Sequence, residues 1–287
     1  MIRKFLSMLA LSLAAALPAT ADPLAKDVFG ANRGPTGGRP AAIGFYSKGC
    51  VTGAVQLPET GPTWQAMRLS RNRNWGHPEL VNFVIGLSQA ARQAGWKGLY
   101  IGDMSQPRGG PMVTGHASHQ MGLDADIWLM PPPSLQLSPG QREGISSVSV
   151  TNGKGTALSG NWSASHMQII RAAARDPRVE RIFIDPMAKV AMCQMEKGNR
   201  SWLRKVRPIN GHQYHFHVRL SCPAGSACQQ QDAPPAGDGC AEAAEWIKNR
   251  IDPSRVKPVP PDPDYRHPRS YRLSEMPRQC QAVATAR

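Results

Sequence analysis

The chain has 287 residues and carries 34 Lys and Arg against 20 Asp and Glu, a formal charge of +14. This length suits one large domain or two, and no internal repeat or long linker divides the first two hundred residues, so one domain with a stapled tail is the simpler reading. The basic balance points to a polyanionic partner such as cell wall or lipid head groups, or to solubility alone; nucleic acid is disfavoured, because no recognition motif is present and the chain reads as exported.

Met1-Ile2-Arg3-Lys4, the apolar run Phe5 to Leu17 and Pro18-Ala19-Thr20-Ala21 form a charged n-region, an h-region and an Ala-x-Ala cleavage signal. Residues 1–21 are read as a signal peptide, with the mature chain starting at Asp22. The apolar run is shorter than the ~20 residues that span a bilayer, no Cys follows it closely, and no other stretch is long enough, so no transmembrane segment is expected. Cleavage removes Arg3 and Lys4 and no acid, leaving +12.

Further along, residues 22–45 are rich in Gly and Pro and should wrap the surface, while Cys50 to Leu57 has short-strand character. Pro78 suits a first helical position, and Leu80, Phe83/Val84, Leu87 and Ala91 form one apolar stripe that stops at Gly95. His77, just before it, reads as a capping or packing residue. Leu99-Tyr100-Ile101 is a buried strand, followed by a Gly-rich loop from Ser105 to Gly115.

From Leu123 the pattern alternates: Leu123, Ala125, Ile127 and Leu129 on one face, Asp124, Asp126 and Trp128 on the other, until Pro131-Pro132-Pro133 ends the strand. Residues 134–160 read as polar loops with a short strand at Val148–Val150. Ser163 caps a helix carrying Met167, Ile170 and Ala174, with His166 expected to face solvent. Arg181 to Ile184 reads as a strand, and helices follow from about Pro186 and over Ser201 to Val206. Asn210-Gly211 is a hairpin-type turn. Beyond it, Tyr214, Phe216, Val218 and Leu220 alternate with Gln213, His215, His217 and Arg219. The tail from Asp252 to Pro277, dense in Pro and charge, reads as irregular surface.

The six cysteines, Cys50, Cys193, Cys222, Cys228, Cys240 and Cys280, make an even set in an exported chain and read as disulfides, with fifteen possible connectivities. No C-x-x-C pair suggests a metal site. Cys222–Cys228 would close a local loop. Cys50–Cys280 could tie the two ends together, leaving Cys193 with Cys240. Only the local pair has a sequence argument behind it.

Chemistry concentrates in two stretches. Gly115 to Asp126 packs His116, His119, Asp124 and Asp126 into twelve residues with glycines at both bends. On the later strand His215 and His217 project to one side, because strand faces repeat every two residues; a pair of surface histidines is the competing reading. His119 and Asp126 are seven apart, an odd offset that one regular strand would place on opposite faces. A turn at Gly122 would let His119 fold back toward Asp126. Two His and one Asp supply three ligands and leave a fourth position open, as in hydrolytic zinc sites.

The pattern His119-x6-Asp126, joined by His215-x-His217, resembles the LAS group of zinc peptidases, which includes D-alanyl-D-alanine carboxypeptidases, and within it the penicillin-insensitive murein endopeptidase family. The matching segments are Gly102-Asp103-Met104, Arg108-Gly109-Gly110, Gly115 to Asp126, Arg181-Ile182-Phe183, Trp202 to Pro208 and His215 to Leu220. The cysteines and the Gly237 to Cys240 run fit as well. The likeness covers most of the mature chain and weakens over residues 134–165 and after about 245.

The resemblance implies that His119, Asp126 and His217 hold one Zn2+. His215 would assist the proton transfer, with His212 nearby and Asp124 as partner of a ligand histidine. His116 would serve a second metal, but Asn152 and Gly155 replace the ligands expected for it. The implied substrate is cross-linked peptidoglycan, cut between D-alanine and meso-diaminopimelate in the periplasm and insensitively to β-lactams. Arg108 and Arg219 are candidates for its carboxylates. Alternatives are a D-alanyl-D-alanine carboxypeptidase of the same group or a non-catalytic wall-binding protein. The expected fold is α+β: a single disulfide-stabilised domain over residues 22–287, with a central, mainly antiparallel sheet, flanking helices, long loops and a Pro-rich tail from about 245.

Overall fold

Alternation of apolar and polar residues in two distant segments builds the middle of the main sheet. The computed structural model describes residues 22–286, so the signal-peptide expectation lies outside them. The strands are β1 (Ala41–Phe45), β2 (Lys48–Thr52), β3 (Val55–Gln56), β4 (Thr60–Gly61), β5 (Trp64–Ala66) and β6 (Trp75–Gly76). They continue with β7 (Leu99–Ile101), β8 (Asp124–Trp128), β9 (Val179–Ile184), β10 (Val206–Pro208), β11 (His215–Leu220) and β12 (Ala227–Cys228).

Seven of them form one sheet in the order β10-β9-β11-β8-β7-β5-β4. Only β10/β9 and β7/β5 are parallel; the other neighbours are antiparallel. The fold is therefore α+β with a mainly antiparallel sheet. β1, β2 and β12 form a smaller sheet, and β3 pairs with β6.

The apolar sides of the central strands (Ala125 and Ile127, Phe216, Val218 and Leu220, Ile182 and Ile184) share one core with two helices. Helix α2 (Pro78–Gln93) contributes Leu80, Phe83, Val84, Leu87 and Ala91, the stripe read from its spacing. His77 caps it, its Nδ1 accepting from the Glu79 N–H at 3.2 Å. Helix α4 (Ala164–Arg175) adds Met167, Ile170 and Ala174. Burying each large apolar side chain contributes ~1.5–3 kcal/mol. The core thus fixes which side of β8 and β11 is left for chemistry.

Several expectations are corrected. His166 does not face solvent; it is buried, stacked on Trp162, with Nε2 2.8 Å from the Leu129 carbonyl. No strand forms over Val148–Val150, where only an isolated Thr151–Leu158 bridge follows. Ser201–Lys205 is a 3-10 turn leading into β10. Asn210-Gly211 turns the chain, but β9 lies between β10 and β11, so no hairpin results.

The ends are also more ordered than their composition suggests. Helix α1 (Ala25–Ala31) and helix α7 (Arg278–Thr285) meet around Phe29, Ile43, Met276 and Val283, with the Cys50–Cys280 disulfide inside that cluster. Cys193–Cys240 joins α5 (Pro186–Met195) to α6 (Cys240–Ile251), and Cys222–Cys228 closes a local loop. No helix among the described residues is long and apolar enough to cross a membrane.

Because Cys50 and Cys280 are 230 residues apart, their bridge constrains a very long loop in the unfolded chain. The Cys50→Ala/Cys280→Ala variant is expected to lose ~3–5 kcal/mol in denaturant titration. Hydrogen exchange should show α1 and α7 losing protection before the main sheet does.

Candidate metal centre

The register between β8 and β11 creates the centre. It sets His217 opposite Asp126, Arg219 opposite Asp124 and His215 opposite Trp128. Directly opposed side chains on one face of an antiparallel pair sit ~4.5–5.5 Å apart at Cβ, so these residues meet without any loop adjustment. His217 Nδ1 lies 3.2 Å from Asp126 Oδ1.

His119 reaches the same carboxylate from the loop before β8. It adopts a left-handed backbone at φ +67°, and Gly122 does so at φ +69°. A Cβ on Gly122 would stand 2.9 Å from the His77 nitrogen, whose N–H donates to the Gly122 carbonyl at 2.9 Å. These two bends fold His119 back over β8, and its backbone N–H donates to Asp124 Oδ2 at 2.9 Å. His119 Nε2 is then 3.4 Å from Asp126 Oδ1. His215 Nε2 stands 3.6 Å from the same oxygen, and His116 Nδ1 stands 3.5 Å from Oδ2. Four imidazoles surround one buried carboxylate.

Hydrogen bonding does not account for this cluster. Both ring nitrogens of His119, Asp126 Oδ1 and His217 Nε2 are buried without a hydrogen-bond partner. Each such group costs ~1–3 kcal/mol when left unpaired, and a bound cation would satisfy Asp126 and the inward-facing nitrogens together. The N···O separations of 3.2–3.6 Å match the ~3.3 Å edge of a tetrahedron with ~2.0–2.1 Å metal–ligand bonds.

Mutual proximity of ligand atoms picks out His116, His119 and Asp126, which lie within 4.8 Å of one another and could hold a metal ion. The sheet register favours His217 as the third histidine. It is buried, opposed to Asp126, and oriented from behind by Asp124, whose Oδ1 is 3.3 Å from His217 Nε2.

The electrostatics favour a charged Asp126. Burial alone would raise the Asp126 carboxyl, but His215, His119 and His116 hold it well below the usual carboxylate range. Burial would likewise raise Asp124, and Arg219 and His217 hold it down. Burial lowers the His215 imidazole, and it pushes His212 down to about 4 with help from His215.

The expected residues therefore divide. His119, Asp126, His217, His116 and His215 converge. His212 stands behind His215, ring centroids 4.8 Å apart, with Nδ1 2.9 Å from the Asn210 carbonyl. Arg219 does not face the cleft: it is buried, donates to Asp124 at 2.9 Å and lies over the Tyr46 ring at 4.0 Å. Arg108 is elsewhere, donating to the carbonyls of Gly34, Val283 and Ala286. Asn152 turns inward on its own loop, Oδ1 accepting from the Thr156 N–H at 2.9 Å. The Gly155 carbonyl accepts from Arg250, whose guanidinium also binds Asp185.

Sequence reasoning missed Arg68 and Arg71. With Asp103, His116, Tyr214 and His215 they line the open cleft over the centre. The run Arg68-x-x-Arg71-x-Arg73 was a visible basic signal, but nothing in its spacing tied it to Asp103, His116, Tyr214 or His215.

The family model described as penicillin-insensitive murein endopeptidase matches residues 42–285. A relative of that name from Haemophilus influenzae is 42% identical over 231 residues, covering 79% of this chain and 81% of its own. One from Klebsiella pneumoniae is 40% identical over 275 residues, covering 93% and 94%. Another, from Yersinia enterocolitica, is 41% identical over 235 residues, covering 80% and 85%.

Two outcomes test the geometry. Chelator-stripped protein should take up one divalent transition-metal ion per chain, by elemental analysis and calorimetry, and His119→Ala or Asp126→Asn should abolish the uptake. Asp124→Asn should weaken it ~10–100-fold, because that carboxylate orients His217; undiminished uptake by His119→Ala would remove these residues from the site. Separately, Arg108→Ala should lower the Tm while leaving metal uptake unchanged, since its partners are carbonyls of the chain's two ends.

Proposed function

The chain belongs to the penicillin-insensitive murein endopeptidase family, and on that premise we propose that it is a periplasmic zinc endopeptidase that hydrolyses the D-alanyl–meso-diaminopimelate cross-link of peptidoglycan. The observation that carries the reading is the buried, unpaired Asp126 Oδ1, whose residue lines an open cleft and which has His119 Nε2 at 3.4 Å and His217 Nδ1 at 3.2 Å. A hydrolase on a wall polymer needs such a cleft rather than a closed cavity.

His119, Asp126 and His217 would hold the ion, with His116 beside them. Zinc bound there would supply Lewis-acid polarisation of the D-alanyl carbonyl and acidify the attacking water. The protein supplies the rest. Asp124 takes the Nε2 side of His217 and fixes its ring, leaving Nδ1 toward Asp126. No His-Glu-x-x-His glutamate is present, so the proton falls to a histidine. His215 lines the cleft with Nε2 3.6 Å from Asp126 Oδ1, and burial lowers its imidazole. Nε2 accepts the proton as water oxygen adds to the carbonyl carbon, then returns it to the departing amine as the C–N bond breaks. His212, lowered to about 4 by burial and then by His215, stays uncharged behind it and adds no competing proton.

No acyl-enzyme arises on this route, which fits insensitivity to β-lactams. Ser254 and Lys257 do have the Ser-x-x-Lys spacing of acyl-serine enzymes. Both are exposed in the tail, and the Ser254 hydroxyl is spent on Asp252 at 2.6 Å.

The test is a parallel digest of purified cross-linked dimers and uncross-linked pentapeptides. Monomeric muropeptides should appear from the dimers, chelator should stop the release, and His217→Ala should lower kcat/KM at least ~10³-fold. Free D-alanine from pentapeptides with intact dimers would make the enzyme a carboxypeptidase instead. Wall binding that persists in chelator without any cleavage would reduce it to a binding protein.

A further inference from the structure

We propose that Arg71, backed by Arg68, forms an anion-binding wall in the cleft that recognises the carboxylate flanking the scissile amide on its amine side. This rests on the peptidoglycan reading above and deepens it by assigning the residue that orients the substrate.

The wall is a 3-10 turn, Leu69–Arg71, bracketed by Arg68 at φ +58° and Asn72 at φ +53°. Left-handed backbone costs non-glycine residues ~1–2 kcal/mol each. Among the described residues only these two and His119 adopt positive φ without being glycine. The turn is pinned on every side. Asn72 Oδ1 accepts from the Trp75 indole at 2.7 Å, and the Ser70 N–H and hydroxyl donate to Glu143 at 2.8 and 2.9 Å. Arg68 donates to the carbonyls of Glu143 and Ile145 and to Ser146 Oγ.

The charges left over face the cleft. All the acceptors of Arg68 are uncharged, so its cation has no carboxylate partner. Arg71 donates one nitrogen, Nη1, to Asp103 Oδ2 at 3.0 Å while its side chain remains 46% exposed. The same Asp103 oxygen also takes Arg73 Nη1 at 2.9 Å and His116 Nε2 at 2.9 Å. Asp103 thus answers two guanidiniums and an imidazole, and Arg68, Arg71 and Arg73 against Asp103 and Glu143 leave the wall one surplus positive charge. Arg71 keeps the free part of its planar fork for a bidentate carboxylate.

The contacts place the wall beside the centre. From Arg71 the contacts run through Asp103 and His116 to Asp126 Oδ2, so one carboxylate and one imidazole separate it from the centre. In the cross-link, the carbon beside the scissile nitrogen bears a carboxylate, two bonds from that nitrogen. An anion held by Arg71 would therefore keep the amide over Asp126 and its histidines. A terminal D-alanine carries the same group, so the wall fixes orientation and leaves the choice between cross-link and terminus to the rest of the cleft.

The experiment uses the metal-loaded enzyme and two cross-linked dimers, with the diaminopimelate carboxylate next to the scissile amide either free or amidated. Arg71→Gln should raise KM about tenfold or more on the free acid, the loss of one charge-assisted contact. Its kcat should stay within about twofold, and the amidated dimer should be turned over as well by the variant as by the wild type. If Arg71→Gln does not fold, Arg71→Lys serves the same comparison, with a smaller loss confined to the free acid. An equal loss on both dimers would mean a purely structural role and overturn the proposal while leaving the activity intact. Wild-type enzyme that cleaves neither dimer would overturn the peptidoglycan reading, and this proposal with it.

Discussion

Everything at this site depends on the Asp126 carboxylate being buried among imidazoles, and that burial is imposed by the sheet. Carboxylates resist leaving water unless paired. Here the pairing is guaranteed by backbone register, because β11 cannot slip against β8 by one residue without turning Phe216, Val218 and Leu220 out of the core. The apolar face thus locks the position of the polar one. Hydrophobic energy spent on one side of two strands holds His217 beside the Asp126 carboxylate on the other.

Around that pair the protein arranges carboxylates behind histidines. Asp124 stands behind His217 and Asp103 behind His116, each with arginine of its own: Arg219 for the first, Arg71 and Arg73 for the second. His116, then Arg73 and Arg71, hold the Asp103 carboxyl down despite burial, as Arg219 and His217 do for Asp124, and the aspartates point the rings inward. Arg219, a substrate-binding candidate on sequence grounds, is instead a support two contacts from the centre. Its stacking on Tyr46 and Phe183 makes that support rigid as well as charged.

Much of this was legible in the sequence because the strands declare themselves by period. The alternations around Asp126 and His217 placed both on ligand-bearing faces, and the odd spacing of His119 required the bend that His119 and Gly122 provide. What spacing could not carry was contact between distant segments. Arg108 looked well placed because it precedes the histidine stretch, yet the chain between them turns away and Arg108 ends among the carbonyls of the last helix. His166 looked exposed because a polar residue at a helix start usually is; two tryptophans bury it. The terminal helices were hidden by composition, since α1 and α7 are short and their apolar residues meet in one cluster with the distant Cys50 and Cys280.

The loop that carries Asn152 and Gly155 is held by an arginine. Arg250 reaches across from α6 and binds Asp185, the Gly155 carbonyl and Asn210 at once. Gly155 takes a left-handed turn at φ +66°, and any Cβ there would lie 2.5 Å from that guanidinium. A side chain at position 155 would therefore have to displace the Arg250 guanidinium from its present place. Arg250 ties α6, and through Cys240 the helix α5, to the loops that lead into β11. His116 is left with Asp103 and the central carboxylate as its partners, which turns a residue that could have served a distant ion into part of the wall of the cleft.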